Sequence, residues 1–137
     1  MYLLDTNIVS ELRKPGPHGG VVAWLEGVDD RHLHLSAVTL GEIQAGIEMT
    51  RLQDTVKADE IEAWADQVAE TWNILPMDGR IFRLWAKLMH GRSDALIEDA
   101  MIAATAIVNE LILVTRNIKD FKTFGLDVLN PCMTPRS

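Results

Sequence analysis

The sequence contains a single cysteine, Cys132, among its 137 residues. No disulfide can form within the chain, and a thiolate metal site is not expected. The apolar start, residues 1–4, is broken by Asp5, whereas a secretory signal needs about seven or more apolar residues in its core. The longest apolar-rich stretch, residues 100–108, is far shorter than the roughly 20 residues of a membrane span. These absences predict a cytoplasmic protein with no membrane segment.

Positive charge is also scarce. The chain has 13 lysine and arginine residues against 20 acids, which gives a net charge of −7 at pH 7. A passive nucleic-acid binder usually presents a basic face, so the composition argues against that class. It does not exclude a nuclease, because bound metal cations reverse the sign of the charge that a phosphate meets locally. Carboxylates clustered around a cation would account for part of the acidity.

Several common enzyme motifs are missing. The chain has no Walker loop, no GxGxxG and no GxSxG, which argues against the corresponding nucleotide-binding and hydrolase folds. Its four histidines show no metal-ligand spacing, and His32 and His34 are predicted on one face of a strand, at the surface. The four tryptophans lie at helical core spacing, which is more typical of packing than of base stacking.

Strand-like and helix-like segments alternate along a chain whose length predicts one domain, residues 1–137. This order is typical of an α/β fold with a mostly parallel sheet. The segment at 74–76 is too short to assign, and a loop is predicted at 13–20. Strands are predicted at 2–4, 33–36, 111–115 and 128–129; helices are predicted at 21–28, from after 36 to about 53, at 61–72, 80–90 and 97–108, ending near Asn109, with a helical turn at 117–121.

Acidic and amide side chains follow the predicted strands. Asp5 comes directly after the first strand, Glu42 shortly after the second, and Asn117 with Asp120 after the strand at 111–115. Ligands of open parallel sheets bind at the carboxyl ends of the strands. Asp99 reaches this edge only if its helix begins there. Converging carboxylates repel each other unless a cation neutralises them, and oxygen-only ligands select Mg²⁺ or Mn²⁺.

Each of these residues also has a structural interpretation. Asp5 could cap a turn or helix, and Glu42 completes a capping-box pattern with a threonine three residues earlier. A helix dipole alone favours Asp99 at the start of an apolar helix. Asn117 and Asp120 are spaced as an N-cap and N3 pair. The residues taken one at a time leave both interpretations open.

The sequence as a whole resembles the PIN-domain ribonuclease toxins of the VapC type. The motifs occur in family order across nearly the whole chain. They are residues 3–7 (LLDTN), 35–42 (LSAVTLGE), 98–106 (EDAMIAATA), 113–121 (LVTRNIKDF) and 129–131 (LNP). The resemblance implies a single PIN-like α/β domain, with a parallel sheet of about four to five strands and helices on both sides. It also implies endonucleolytic cleavage of RNA at an acidic site with Mg²⁺, or Mn²⁺ in its place.

The resemblance further implies roles for individual residues. Asp5 and Asp99 match the core metal ligands and catalytic acids, and Glu42 matches a ligand that binds directly or through water. Thr6 and Thr115 match hydroxyl positions near the site.

The fourth acidic position of many PIN domains corresponds here to Asn117, which departs from the pattern. Either Asn117 serves as a neutral ligand or Asp120 takes part of the role, and a second metal ion is correspondingly less expected. This departure is the one sequence feature that supports an alternative, a PIN-fold binding or regulatory module without cleavage. A phosphotransfer domain with Asp5 as nucleophile would need a second aspartate at position 7, which is asparagine.

The partners implied by the resemblance are an RNA substrate, a small antitoxin that blocks the acidic site, and a second copy of the chain in a homodimer. In an acidic protein, RNA must be held by local basic residues. The candidates are Arg13, Lys14, Arg92 and Arg116.

Overall fold

A computed structural model of the chain describes residues 1–133, in which helices and strands alternate. Short 3-10 turns connect some of them. None of the helices in the described part of the chain is long and apolar enough to cross a membrane. The elements are β1 (Tyr2–Leu4), α1 (Thr6–Glu11), α2 (Gly19–Glu26), β2 (Leu33–Ser36), α3 (Ala37–Arg51), α4 (Thr55–Thr71), β3 (Asn73–Leu75), α5 (Gly79–Met89), α6 (Ile97–Val108), β4 (Ile112–Val114), α7 (Ile118–Lys122) and β5 (Val128–Leu129).

The five strands form one parallel sheet in the order β3-β2-β1-β4-β5. Side chains alternate between the two faces of a strand. Accordingly, Leu4 packs with apolar residues of α1 to α4, and Leu3 packs with those of α6 and α7. The sheet is therefore covered on both faces, as expected of a parallel sheet. The predicted α/β fold with helices on both sides is confirmed.

The strand order places a topological switch point at the centre of the sheet. From β1 the chain adds β2 and β3 on one side, and it returns to add β4 and β5 on the other. The loops that leave the carboxyl ends of β1 and β4 therefore diverge. A cleft that opens between such loops is the usual ligand site of this architecture.

Two local predictions, the positions of His32 and His34, are wrong, and the capping-box interpretation of Glu42 is excluded. Ser36 caps α3, since its Oγ accepts the Val38 N–H at 3.1 Å; Glu42 thus lies inside the helix and cannot belong to a capping box. His32 lies in a 3-10 turn rather than on the strand, and His34 is half-buried. Helix α6 ends at Val108, next to Asn109 as predicted, and the left-handed residue that follows is Glu110, with φ 54°.

Two elements are absent from the sequence prediction. Helix α1 has six residues, too few to show a helical period. Strand β3 has three residues, of which Leu75 pairs with Ser36 at the edge of the sheet.

Candidate active site

Asp5 lies at the carboxyl end of the central strand and is 5% exposed. Its backbone N–H donates to the Val114 carbonyl at 2.9 Å, which fixes it beside β4. Its Oδ1 accepts the Thr6 N–H at 2.8 Å and caps α1, while its Oδ2 accepts the Thr115 hydroxyl at 2.9 Å. Burial raises the pKa of Asp5, and the hydrogen bonds from Thr115 and Thr6 oppose this rise. The capping role and a site role are therefore compatible.

Glu42 projects from the second turn of α3 toward the start of α1. Its Oε1 accepts the Thr6 hydroxyl at 3.0 Å. Thr6 Oγ1 lies another 3.0 Å from Thr39 Oγ1; because Thr6 has one hydroxyl proton and gives it to Glu42, Thr39 is the donor in this second bond. Burial raises the pKa of Glu42, the Thr6 bond lowers it, and the negative charges of Asp5 and nearby acids raise it further.

Asp99 lies in the first turn of α6 and is half-buried. Burial is the main reason that its pKa rises to about 6, and the charges of Asp5, Asp120 and Glu98 add to the effect. Helix α6 thus begins at the edge of the sheet that carries Asp5, which is the condition that the sequence left open. Asp5, Glu42 and Asp99 are close enough for Asp5 to oppose ionisation of the other two.

Asn117 and Asp120 form a pair at the end of β4. The Asn117 Nδ2 donates to Asp120 Oδ2 at 2.8 Å, and the Asn117 backbone N–H donates to Thr115 Oγ1 at 2.9 Å. Asn117 occupies the N-cap position of α7 with Asp120 three residues later, as the spacing indicates, but the Asn117 side chain makes no cap bond to the helix backbone. Asp120 faces the site closely enough to raise the pKa of Asp99.

The donor chemistry of this edge matches a hard divalent cation. The acids present oxygen atoms only, and their mutual repulsion is the cost that a cation removes. Within residues 1–133, however, no group of three or more histidine, cysteine, aspartate or glutamate side chains converges closely enough to hold an ion. The residues therefore fit Mg²⁺ or Mn²⁺ in type and charge, and the carboxylates would have to draw together to bind it.

Two of the predicted RNA-binding cations, Lys14 and Arg116, share one partner. Lys14 Nζ lies 2.7 Å from Glu11 Oε2, and Arg116 Nη1 lies 3.3 Å from the same oxygen. Arg116 directly follows Thr115, which binds Asp5. Both cations are therefore held near the acidic edge by a single carboxylate.

Arg13 and Arg92 have different surroundings. Arg13 is exposed and lines a cavity of about 290 Å³ whose walls include Thr6 and Glu42. Arg92 donates to the Thr123 hydroxyl at 2.9 Å and to its carbonyl at 2.8 Å, and it lies 4.5 Å from the centroid of the Phe124 ring. Arg13 thus borders the acidic edge directly, whereas the Arg92 guanidinium is engaged in contacts within the fold.

Sequence reasoning missed three residues that contribute to this region. Glu98 adds charge next to Asp99, and Thr39 orders the Thr6 hydroxyl; both stand inside the motifs already noted, where they could have been found. Glu11 gave no signal, because its partner Arg116 is 105 residues away.

Known proteins share the sequence pattern and the fold of this chain. The family model described as PIN domain matches residues 2–125. The VapC ribonuclease Y4jK of Sinorhizobium fredii is 33% identical over 142 residues, which span 96% of this chain and 97% of that protein. The crystal structure of FitAcB from Neisseria gonorrhoeae has a TM-score of 0.86 at 32% identity, covering 98% of this chain and 100% of that one. A toxin–antitoxin complex from Klebsiella pneumoniae has a TM-score of 0.71 at 25% identity, with coverage of 96% and 98%. The acidic edge lies within the region that these proteins share with the chain.

Proposed function

The chain belongs to the PIN-domain family, and we propose that residues 1–137 form one domain that acts as a metal-dependent endoribonuclease, the toxin of a toxin–antitoxin pair. The observation that carries the proposal is the electrostatic coupling of Asp5, Glu42 and Asp99 at the switch point of the sheet. Each of these acids has a raised pKa. Perturbed acids grouped at a ligand-binding edge are typical of a functional site.

Asp5 and Asp99 are the proposed ligands of Mg²⁺, with Mn²⁺ as a possible substitute, and Glu42 binds directly or through water. When bound, the cation would stabilise negative charge on the phosphodiester and lower the pKa of the attacking water. Asn117 offers a neutral oxygen at the position of the fourth acid, and its amide group donates to Asp120. One metal ion is therefore the simplest expectation.

The chain's own residues perform the positioning. Thr115 and Thr6 donate to Asp5 and Glu42 respectively, which fixes the direction of the free carboxylate lone pairs. The carboxylates orient the attacking water toward the phosphorus, and the leaving 3′-oxygen departs to give a 5′-phosphate and a 3′-hydroxyl. Arg13, in the cavity that adjoins Glu42, is the proposed contact to the RNA backbone on this side.

The proposed macromolecular partners are RNA, an antitoxin and a second copy of the chain. The toxin–antitoxin complex of similar fold supports the antitoxin, and an acidic site of this kind is one that a basic side chain could block. The cytoplasm, where a ribonuclease meets RNA, is the proposed compartment.

Cleavage of total cellular RNA by the purified protein tests the proposal, with Mg²⁺, with Mn²⁺ and with chelator. The variant Asp99→Asn is compared with Asp127→Asn, a matched change at an exposed acid that precedes β5 and so lies at the opposite end of the strands. We expect metal-dependent cleavage that is lost in the first variant and kept in the second. Cleavage that survives in Asp99→Asn would refute the assigned site, and no cleavage under any condition would favour the non-cleaving binding module.

A further inference from the structure

Glu11 is a buried carboxylate at the end of α1, outside the acidic group at the sheet edge. Its side chain is 7% exposed, and three donors surround its carboxylate. Oε1 accepts the His18 backbone N–H at 2.9 Å, and Oε2 faces Lys14 and Arg116. These donors, with the Lys14 contact as the largest contributor, lower the pKa of Glu11. The group is therefore ionised in the folded protein at neutral pH.

The two cations keep their charged ends at the surface. The Lys14 side chain is 60% exposed and the Arg116 side chain 41%. A guanidinium carries five N–H donors in a fixed fork, of which only Nη1 contacts Glu11. The remaining donors can meet a phosphate while the carboxylate holds the fork in place. With one acid and two cations, the group has a local net charge of +1 on a protein whose total is −7.

This group is connected to the acidic edge at two points. Helix α1 begins at the Asp5 cap and ends at Glu11, which is about 9 Å of helix at 1.5 Å per residue. On the other strand, Arg116 directly follows Thr115, the donor to Asp5. The two cations therefore lie where β1 and β4 end, beside the edge that carries Asp5.

We propose that Glu11 is a positioning residue that holds Lys14 and Arg116 as one phosphate-binding pair for the RNA strand, beside the cleaved bond. The proposal rests on the function proposed above and adds the place where the substrate is held. Preorganised cations bind more tightly than free ones, because less side-chain freedom is lost when the phosphate arrives. The simpler explanation is that Glu11 only fastens the loop before α2 through the His18 N–H.

Binding to a labelled single-stranded RNA of mixed sequence separates these explanations. It is measured in chelator, where cleavage cannot occur. The variant Glu11→Gln keeps an acceptor for His18 but loses the ion pairs. Its matched control is Glu62→Gln, because Glu62 Oε2 binds Arg51 Nη2 at 2.6 Å elsewhere on the surface and the same total charge is removed.

We expect Glu11→Gln to weaken RNA binding about threefold to tenfold, the range for a partly exposed ion contact, with no such loss in Glu62→Gln. The slope of log affinity against log salt should become shallower by about 0.7 for each phosphate that the protein no longer neutralises. Arg116→Gln should also weaken binding, and the double variant Glu11→Gln/Arg116→Gln should bind no more weakly than Glu11→Gln within twofold, because Glu11 acts through both cations. Additive losses, or unchanged affinity and slope in Glu11→Gln, would overturn the positioning role.

Two further experiments cover the outcomes that the binding assay leaves open. In the cleavage assay, Glu11→Gln should raise KM while kcat stays within about twofold. If the protein cuts no RNA but the variants still show non-additive losses of RNA affinity, the nuclease function is refuted and the phosphate-binding pair is supported. If Glu11→Gln does not fold, Lys14→Gln and Arg116→Gln decide, since both side chains are largely at the surface. A salt slope equal to that of the wild type in both would refute the pair.

Discussion

The substitution Asp99→Asn removes a negative charge from a place where burial and neighbouring acids already oppose ionisation. The pKa of Asp99 rises from 3.8 to about 6. At 1.36 kcal/mol per pKa unit, the ionised Asp99 lowers the free energy of unfolding at neutral pH by about 3 kcal/mol before screening. Because Asp99 is only half-buried, solvent screening reduces this to about 1–2 kcal/mol. The carboxylate also gains roughly 0.5 kcal/mol from the N-terminus of α6. The metal-free variant should therefore be more stable than the wild type by about 1 kcal/mol.

The pH dependence of this gain has a definite sign. Below pH 3.8 the carboxyl is protonated in both the folded and the unfolded chain, so the variant gains nothing. Between pH 3.8 and about 6 only the unfolded chain loses the proton, and the wild type loses stability as the pH rises. Above this range the full difference is present. The gain from Asp99→Asn should be complete at pH 8 and about half as large at pH 5.

Urea denaturation in chelator at these two pH values measures the gain, with Asp127→Asn as the control for total charge. A variant that is less stable than the wild type at pH 8, or a gain that is the same at both pH values, would refute the electrostatic reasoning. Addition of Mg²⁺ at pH 8 should then make the wild type more stable than Asp99→Asn, because the cation stabilises only the protein that binds it.

Three further predictions follow from the same structure. Thr115→Val should lower the free energy of unfolding by about 1–3 kcal/mol, because it leaves a buried oxygen of Asp5 without its donor; Thr115→Ser should not, and equal urea midpoints for the two variants would contradict this. Glu110→Gly should raise the free energy of unfolding by about 0.5–1 kcal/mol in the same assay, since Glu110 has a φ of 54°; a loss of stability would mean that its side chain matters more than its backbone. The affinity for Mg²⁺ should rise as the pH increases from 5 to 8, because the metal-free Asp99 must lose its proton, with a pKa of about 6, to bind the cation; equal affinities at pH 5 and pH 8 would show that Asp99 does not need to ionise.

The sequence predicts the central elements of the fold well, because these elements carry strong local signals. The bounds of β1 and α6 agree with the structure to the residue, since each is an apolar run limited by polar or turn-forming neighbours. Helix α1 escapes prediction because six residues show no period. The capping-box pattern that ends at Glu42 failed for a different reason: Ser36, at the end of β2, caps the helix three residues earlier.

The candidate site is predictable only where topology decides it. The rule that ligands bind at the carboxyl ends of parallel strands locates Asp5 and Asn117 from the sequence pattern. For Asp99 the position depends on where α6 begins relative to the sheet, which is a property of packing. Glu11 and Arg116 meet only because α1 and β4 leave neighbouring strands, and no local pattern relates them.

The pairing of β1 with β4 also governs when the candidate site can assemble. Asp5 and its donor Thr115 are 110 residues apart, and no hydrogen bond of β4 to β1 can form until residues 112–114 have left the ribosome. Contacts of such large sequence separation form late, after a long loop has been closed. A nascent chain therefore carries its first acid exposed and unassembled through most of its synthesis. For the proposed RNA-cutting activity, this order means that the site can assemble only when synthesis of the chain is nearly complete.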